Sequence, residues 1–291
     1  GVLRVLLCFM NIENIRCVMM VSGILLHIAV VICLFRKEQK ALSVTYALAF
    51  LLVNGGFALN CLEYGFMFLL VPMTILVLLL LGGEQKDTMA AQIFMIVGML
   101  TAFFDFLTTE TLTFTVPFAV YYIMLCEGSK KQNWFFFLRC GVNWCIGYVG
   151  MFLLKWILAA VVLGKEAFWD ALDMAAERMG GDVSLSANMV GEQAGLAERL
   201  MGIFTRNAGC LFWGTSDMSV RTVAITAGTV AVVLGVFWYL TRKEKGQFEK
   251  SRILMVVALL PYIRFLALSN HSFIHYFFTY RAQMVTVMVV L

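Results

Sequence analysis

The chain has 291 residues, of which 62% are hydrophobic and only 14% charged, with a formal net charge of +4. A mean hydropathy of +0.87 excludes a soluble globular domain, and so small a positive balance gives no support for a nucleic-acid partner. Apolar runs of about 20 residues cross the roughly 30 Å hydrocarbon core as helices. The runs here lack the alternation of a membrane barrel, so the composition predicts an all-α, polytopic transmembrane helical bundle.

In chain order, hydropathy predicts spans at 15–35, 41–60, 64–81, 88–107, 110–126, 134–163, 218–240 and 253–270, with a ninth beginning near Ala282. That is about eight full spans plus a truncated ninth, in one transmembrane domain over 1–291. The chain opens on Gly1 and its last apolar run is too short to cross. Both ends are therefore expected to continue in a longer protein.

The connections alternate in charge. Arg36, Lys37 and Lys40, then Lys86, then Lys130 and Lys131, then Arg242, Lys243, Lys245, Lys250 and Arg252 mark every second one, whereas 61–63 and 105–109 contain neither Lys nor Arg. The positive-inside rule puts the basic set in the cytoplasm. The segment 164–217 is then an extracytoplasmic loop. Its charged residues Lys165, Glu166, Asp170, Asp173, Glu177 and Arg178 interleave with Phe168, Trp169, Leu172 and Ala176, the pattern of an amphipathic helix. A break at Gly180–Gly181 and a second helical run from Gly191 to Phe204 follow. A loop of this size reads as a lid, a substrate platform or a solvated cap.

The same count puts most other polar residues on the outer face: Glu13, Arg16, Glu63, Tyr64, Asp105, Thr108, Thr109, Glu110, and the segment Asn270 to Arg281 with His271, His275 and Tyr280. Each would cost a few kcal/mol or more at the bilayer centre, so their confinement to one rim predicts a wet cavity there, on which Asp105, His271, His275 and Arg281 converge. Pro117 and Pro261 are expected to kink their helices. Asn143, Trp144, Gly147, Gly150 and Lys155 give the sixth span a small, polar face suited to close packing. Lys155 can snorkel to the interface or turn inward to an anion. Cys8, Cys17, Cys33, Cys126, Cys140 and Cys145 read as packing residues, whereas Cys61 and Cys210 both map outside and could pair in an oxidising compartment. The pairs Gly55–Gly56 and Gly82–Gly83 lack the context of a phosphate loop, and no serine-centred nucleophile motif is present.

The runs Phe103-Phe104-Asp105-Phe106-Leu107-Thr108-Thr109, Val116-Pro117-Phe118, Gly147-Tyr148, Lys155-Trp156, Asn270-His271-Ser272-Phe273-Ile274-His275 and Phe278-Thr279-Tyr280-Arg281 resemble those of uncharacterised multi-pass proteins of Gram-positive gut bacteria. These are similar in architecture to the GT-C class of membrane glycosyltransferases. The resemblance implies a protein of the bacterial plasma membrane that takes a sugar from a polyprenyl-phosphate donor at the extracytoplasmic face. In that class the key acidic residue sits in the first outer loop, which is expected to precede this chain, with Glu13 at most a remnant of it.

Glycosyl transfer requires a base for the acceptor hydroxyl and neutralisation of the departing phosphate. Asp105 is a candidate base or ligand, and equally a cap for the helix that follows it. Arg281 presents a fork of donors suited to phosphate oxygens, with Lys155 as a second phosphate-binding candidate. His271 and His275, four apart, could take part in catalysis, hold the phosphate, chelate one divalent metal ion as a cofactor, or serve as polar helix-end residues. Tyr280, Asn270 and Glu63 complete the set as substrate-contacting candidates. Two other classes remain open: a transporter or flippase of a lipid-linked or polyanionic substrate, which would place coupling residues at the midplane, and a non-enzymatic assembly subunit.

Overall fold

The structure, a computed structural model, describes residues 2–81, 86–105, 107–125, 130–179, 196–213, 228 and 247–291. The Gly180–Gly181 break, Cys126 and nearly all of the span expected at 218–240 lie outside these. Among the described residues every regular element is helical: α1 (Val2–Leu7), α2 (Ile12–Arg36), α3 (Lys40–Leu52), α4 (Gly55–Leu59), α5 (Gly65–Leu79), α6 (Lys86–Phe104), α7 (Leu112–Leu125), α8 (Lys130–Leu163), α9 (Glu166–Met179), α10 (Leu196–Trp213), α11 (Gln247–Ala267), α12 (Ser269–Ile274), α13 (Tyr276–Thr279), a 3₁₀ turn (Tyr280–Gln283) and α14 (Met284–Val290).

Three of the described helices are long and apolar enough to cross a membrane: Ile12–Arg36, Lys86–Phe104 and Asn133–Leu163. Lys40–Leu52, Gly65–Leu79 and Leu112–Met124 are apolar but shorter. At about 1.5 Å per residue they rise roughly 20 Å, less than the roughly 30 Å core. The single span expected over 41–60 is in fact two helices. Asn54 takes a left-handed backbone with φ 57° between α3 and α4, a conformation Asn tolerates better than most residues. Gly55 is needed beside it, because a Cβ there would run into the Phe50 ring.

The described chain forms two compact units, residues 1–149 with 284–289 and 291, and residues 150–283 with 290. In the first, α7 is the central helix: Leu112, Val116, Phe118, Ala119, Val120 and Tyr122 are all fully buried. Phe114 and Phe118 pack with Phe94 of α6 and Phe137 of α8. Helices α6 and α8 cross where Gly98 meets the Trp144 carbonyl and Gly147 meets the Met95 carbonyl; a Cβ at either glycine would collide with backbone. The small face expected on the sixth span is thus used at Gly147. It is not used at Gly150, where a Cβ would meet open space. The opposite face of α8, with Phe135, Leu138, Val142 and Ile146 exposed, has the apolar character of a lipid-facing surface.

All three prolines sit inside helices, Pro72 in α5, Pro117 in α7 and Pro261 in α11. Proline has no N–H for the carbonyl four residues back. For Pro72 that carbonyl belongs to Phe68, and His27 of α2 lies 2.9 Å from it through Nε2. Because a carbonyl only accepts, Nε2 carries the proton. Nδ1 is then the acceptor for the Tyr46 hydroxyl of α3 at 2.7 Å.

In the second unit, α9 is the amphipathic helix expected in the loop, and α10 is the second. Gly164, at φ +102°, ends α8 ahead of them, its N–H bonded to the Ala160 carbonyl. The core of this unit is Ile203, Phe265, Phe273 and Ala282, with Leu200, Tyr262 and Ile274 against it. Gly202 lets the Phe273 ring lie on α10, and the Arg206 guanidinium sits 4.1 Å from that ring's centroid.

Candidate functional site

The two groups of candidates fall in different units, and each unit has its own geometry. In the first, α6 ends at Phe104, and the 107–110 turn follows with Leu107 at φ 65°. A leucine in the left-handed region costs about 1–2 kcal/mol, so something must hold the turn. Asp105, 2% exposed, does so: its carboxylate accepts the Thr108 N–H at 3.0 Å and the Thr108 hydroxyl at short range. Asp105 thus caps the turn that leads into α7. Thr109 and Glu110 are buried beside it. Deeper, Thr101 and Thr113 share a hydrogen bond of 2.7 Å, and Trp144 Nε1 donates to the Thr113 hydroxyl at 3.2 Å. Glu63, in the turn before α5, is exposed, as is Glu13.

The second group lies where the helix expected to continue through 270 stops at Ala267 and breaks into α12, α13 and the 3₁₀ turn. Irregular backbone of this kind leaves carbonyls and N–H groups that side chains must satisfy. Asn207 of α10 is the hub. Its Nδ2 donates to the Ser272 carbonyl at 3.3 Å, its Oδ1 accepts from the Thr279 hydroxyl at 2.8 Å, and its own carbonyl accepts from Gln283 Nε2 at 3.1 Å. Tyr262 donates to Gln283 Oε1 at 3.2 Å. Asn270 donates to the Glu177 carbonyl at 3.1 Å, and Ser269 to the Met179 carbonyl at 3.5 Å, so both cap the C-terminal turn of α9. The substrate role assigned to Asn270 thus has a structural one beside it.

His271 is buried next to Arg264, whose guanidinium donates to Nδ1 at 3.3 Å and to the Ser272 hydroxyl at 2.9 Å. His271 Nδ1 must accept, so its hydrogen is on Nε2. The His275 ring lies 4.7 Å away, centroid to centroid, and stacks on Phe278. Burial, then Arg264, His275 and Arg178, push the His271 pKa down to about 2. Burial, Arg178 and Arg264 lower that of His275. Both imidazoles are neutral at pH 7. A group as weakly basic as His271 is suited to donating a hydrogen bond more than to taking a proton. Among the described residues no group of three or more His, Cys, Asp or Glu could hold a metal ion, and a guanidinium already occupies the Nδ1 lone pair that chelation by that nitrogen would need.

Arg281 is 3% exposed, donates to the Phe277 carbonyl at 2.9 Å and stacks on Tyr280 at 4.7 Å. Burial raises the Tyr280 pKa against the pull of Arg281. Cys210, also near Arg281, is pushed up to about 11 by burial and is a protonated thiol; Cys61 and Cys210 are both free. Lys155 lies half-buried with Nζ 5.4 Å from the Phe152 ring.

Sequence reading missed Arg264, Asn207 and Gln283. Arg264 had a usable signal, a lone guanidinium three residues after Pro261 in an otherwise apolar run. Asn207 and Gln283 had none, since their role depends on where the broken helix lands. Comparison with protein-family models, with curated proteins and with solved structures finds no match to this chain.

Proposed function

We propose that this chain is a multi-pass protein of the bacterial plasma membrane, with about eight spans and a ninth begun near Ala282, that transfers a sugar from a polyprenyl-phosphate donor at the extracytoplasmic face in the manner of GT-C glycosyltransferases. The observation that supports this reading is the cluster at the end of α11. There the Arg264 guanidinium donates to the neutral His271 ring with His275 beside it, and Arg281 follows on the same broken segment, donating to the Phe277 carbonyl. In the transfer, the acceptor oxygen bonds to the anomeric carbon, the bond from that carbon to the phosphate oxygen breaks, and the electron pair leaves on polyprenyl phosphate. The acceptor proton goes to a base, for which Asp105 is the candidate. Cationic donors stabilise the departing charge.

The test is transfer of labelled sugar from a polyprenyl-phosphate donor by the purified full-length chain. Arg281→Ala is expected to lower the rate about 100-fold or more while leaving membrane insertion unchanged. No transfer from any such donor by the wild type would remove the reading. A transport reading is favoured by one observation, the broken helix of α11 to α13, because discontinuous helices build binding sites in secondary transporters. Substrate flux into proteoliposomes without sugar transfer would select it.

A further inference from the structure

We propose that α9 is a membrane-surface helix, seated in the lipid headgroup region at the C-terminal end of α8 by the stripe Trp169, Leu172, Ala176 and Met179. The proposal rests on the membrane placement of α8 and is independent of the sugar-transfer reading.

Two stripes run along α9. Trp169, Leu172, Ala176 and Met179 recur at intervals of three, four and three residues, which puts them on one side of the helix. Glu166, Asp170, Asp173 and Glu177, at intervals of four, three and four, form an acidic stripe about 110° round from it. The half-buried Ala167, Phe168, Ala171 and Ala175 mark the side that meets the rest of the unit, so the acids point away from the protein and the apolar stripe points sideways. No residue of α9 is buried. Trp169 is 59% exposed and Met179 60%, so the protein covers little of that stripe. Met174 is the exposed large apolar residue of α9 that lies off it.

What lies beside the stripe is set by α8. Its apolar span Asn133–Leu163 has 31 residues and is about 46 Å long, close to the thickness of a bilayer with both headgroup regions, roughly 40–45 Å. The apolar surface stays open to the last turn, where Val161, Val162 and Leu163 are each at least 76% exposed. Lipid therefore reaches the end of α8. Gly164 turns the chain there, and α9 folds back: the Phe168 ring meets Trp156 edge-on at 6.2 Å between centroids and Trp169 edge-on at 5.7 Å. Trp156 lies two turns in from Leu163, about 10 Å, near the level where headgroups meet acyl chains and where tryptophan is enriched. A helix beginning at that level, with an apolar stripe for the acyl chains and acids for water, has the arrangement of an interfacial helix.

At the other end of α9, Asn270 and Ser269 of α12 donate to the Glu177 and Met179 carbonyls. Both ends of the helix are thus tied. Its four carboxylates against Arg178 differ from the Lys- and Arg-rich face of helices drawn to anionic lipid, so apolar contact and the tether to α8 hold α9 at the surface.

The experiment places the purified chain in phosphatidylcholine nanodiscs with a spin label attached through p-acetylphenylalanine at one position at a time, which leaves the eight cysteines in place. Positions 169 and 176 test the apolar stripe, 170 and 173 the acidic one, and 157, an exposed position on α8, is the lipid reference. Position 176 keeps both large side chains of the stripe's exposed part intact. Collision with oxygen, which concentrates in lipid, is compared with collision with a water-soluble nickel chelate. Labels at 169, 176 and 157 are expected to give an oxygen-to-nickel ratio several-fold above those at 170 and 173. Trp169→Glu with Met179→Glu should lower the ratio at 176 several-fold. Lipid contact at 157 with all four α9 labels open to nickel would overturn the proposal and leave the membrane reading standing. Shielding of 169 and 176 from both reagents would overturn it as well, and make the stripe a protein interface. An unchanged ratio at 176 in the double variant would show that the stripe does not seat the helix. Nickel access at 157 would overturn the membrane placement of α8 and the proposal with it.

Discussion

His27 Nε2 donates to the Phe68 carbonyl, the one backbone acceptor in α5 that Pro72 leaves without a helical donor. Prolines are tolerated in membrane helices when neighbouring side chains satisfy the freed carbonyl, and here the repair comes from a different helix. Each defect explains the other: the buried imidazole has a backbone partner because the proline removed the usual one. Tyr46 completes the chain by donating to Nδ1, so a single tautomer links α2, α3 and α5.

That linkage makes a double-mutant cycle informative. His27→Phe leaves the Phe68 carbonyl and the Tyr46 hydroxyl unpaired and is expected to destabilise the protein by about 1–3 kcal/mol for each group left unsatisfied. In a Pro72→Ala background, residue 72 regains its N–H and the Phe68 carbonyl its helical donor. The His27→Phe cost should then fall by about 1 kcal/mol or more. Unfolding in mixed micelles measures all four corners. Equal costs in the two backgrounds would mean that His27 is not serving the proline gap.

The crossing of α6 and α8 depends on two glycines whose missing Cβ atoms make room for backbone. Gly147→Ala places a methyl against the Met95 carbonyl, and Gly98→Ala one against the Trp144 carbonyl. Both must push the helices apart, disturbing the Trp144–Thr113 hydrogen bond as well. Each is expected to cost about 1–3 kcal/mol. Gly150→Ala, which meets nothing, should be neutral or slightly stabilising by helix propensity. Thermal unfolding that ranks Gly150→Ala with the other two would contradict the packing.

Composition alone was enough for the helical class, and 3.6-residue patterning located the amphipathic α9, because both depend on local chemistry. The span expected over 41–60 failed at Asn54, where an apolar run hides a left-handed residue that hydropathy averaging cannot register. The break after Ala267 was equally hidden, since Leu268, Phe273 and Ile274 keep the run apolar while Asn207 of α10 satisfies the Ser272 carbonyl from elsewhere. Type and spacing singled out His271, His275 and Arg281 as candidates. They could not find Arg264 as the neighbour of His271, because that pairing is made by the turn between α11 and α12.

The histidines make stability depend on pH with a definite sign. His271 has a folded pKa of about 2 against an unfolded value near 6.5. Between these values the unfolded chain binds a proton that the folded chain does not. Stability is therefore fully present above about pH 6.5 and is lost as pH falls below it. His275 adds in the same direction, and the cations that act on the pair are Arg264 and Arg178. From pH 7.5 to 5 the loss from His271 is expected to be about 1–2 kcal/mol. His271→Gln should flatten the thermal midpoint over that range. A wild-type midpoint independent of pH would show that the imidazole takes up its proton as readily in the folded protein as in the unfolded chain.

Asp105 serves the turn at Leu107, and the proposed base role must be separated from that service. Asp105→Asn keeps one side-chain oxygen to accept from the Thr108 N–H and hydroxyl, so the turn and membrane insertion should survive with a loss of about 1 kcal/mol. It removes the charge that would take the acceptor proton, and sugar transfer is expected to fall about 100-fold or more. Thr108→Val removes only the hydroxyl that Asp105 accepts from. It should weaken the turn to a similar degree and leave transfer within a few-fold of wild type. The pair of variants separates the two roles, because stability changes alike in both while the rate changes in one. Equal and small effects on transfer would leave Asp105 as a turn-holding residue, and the base would have to be another group.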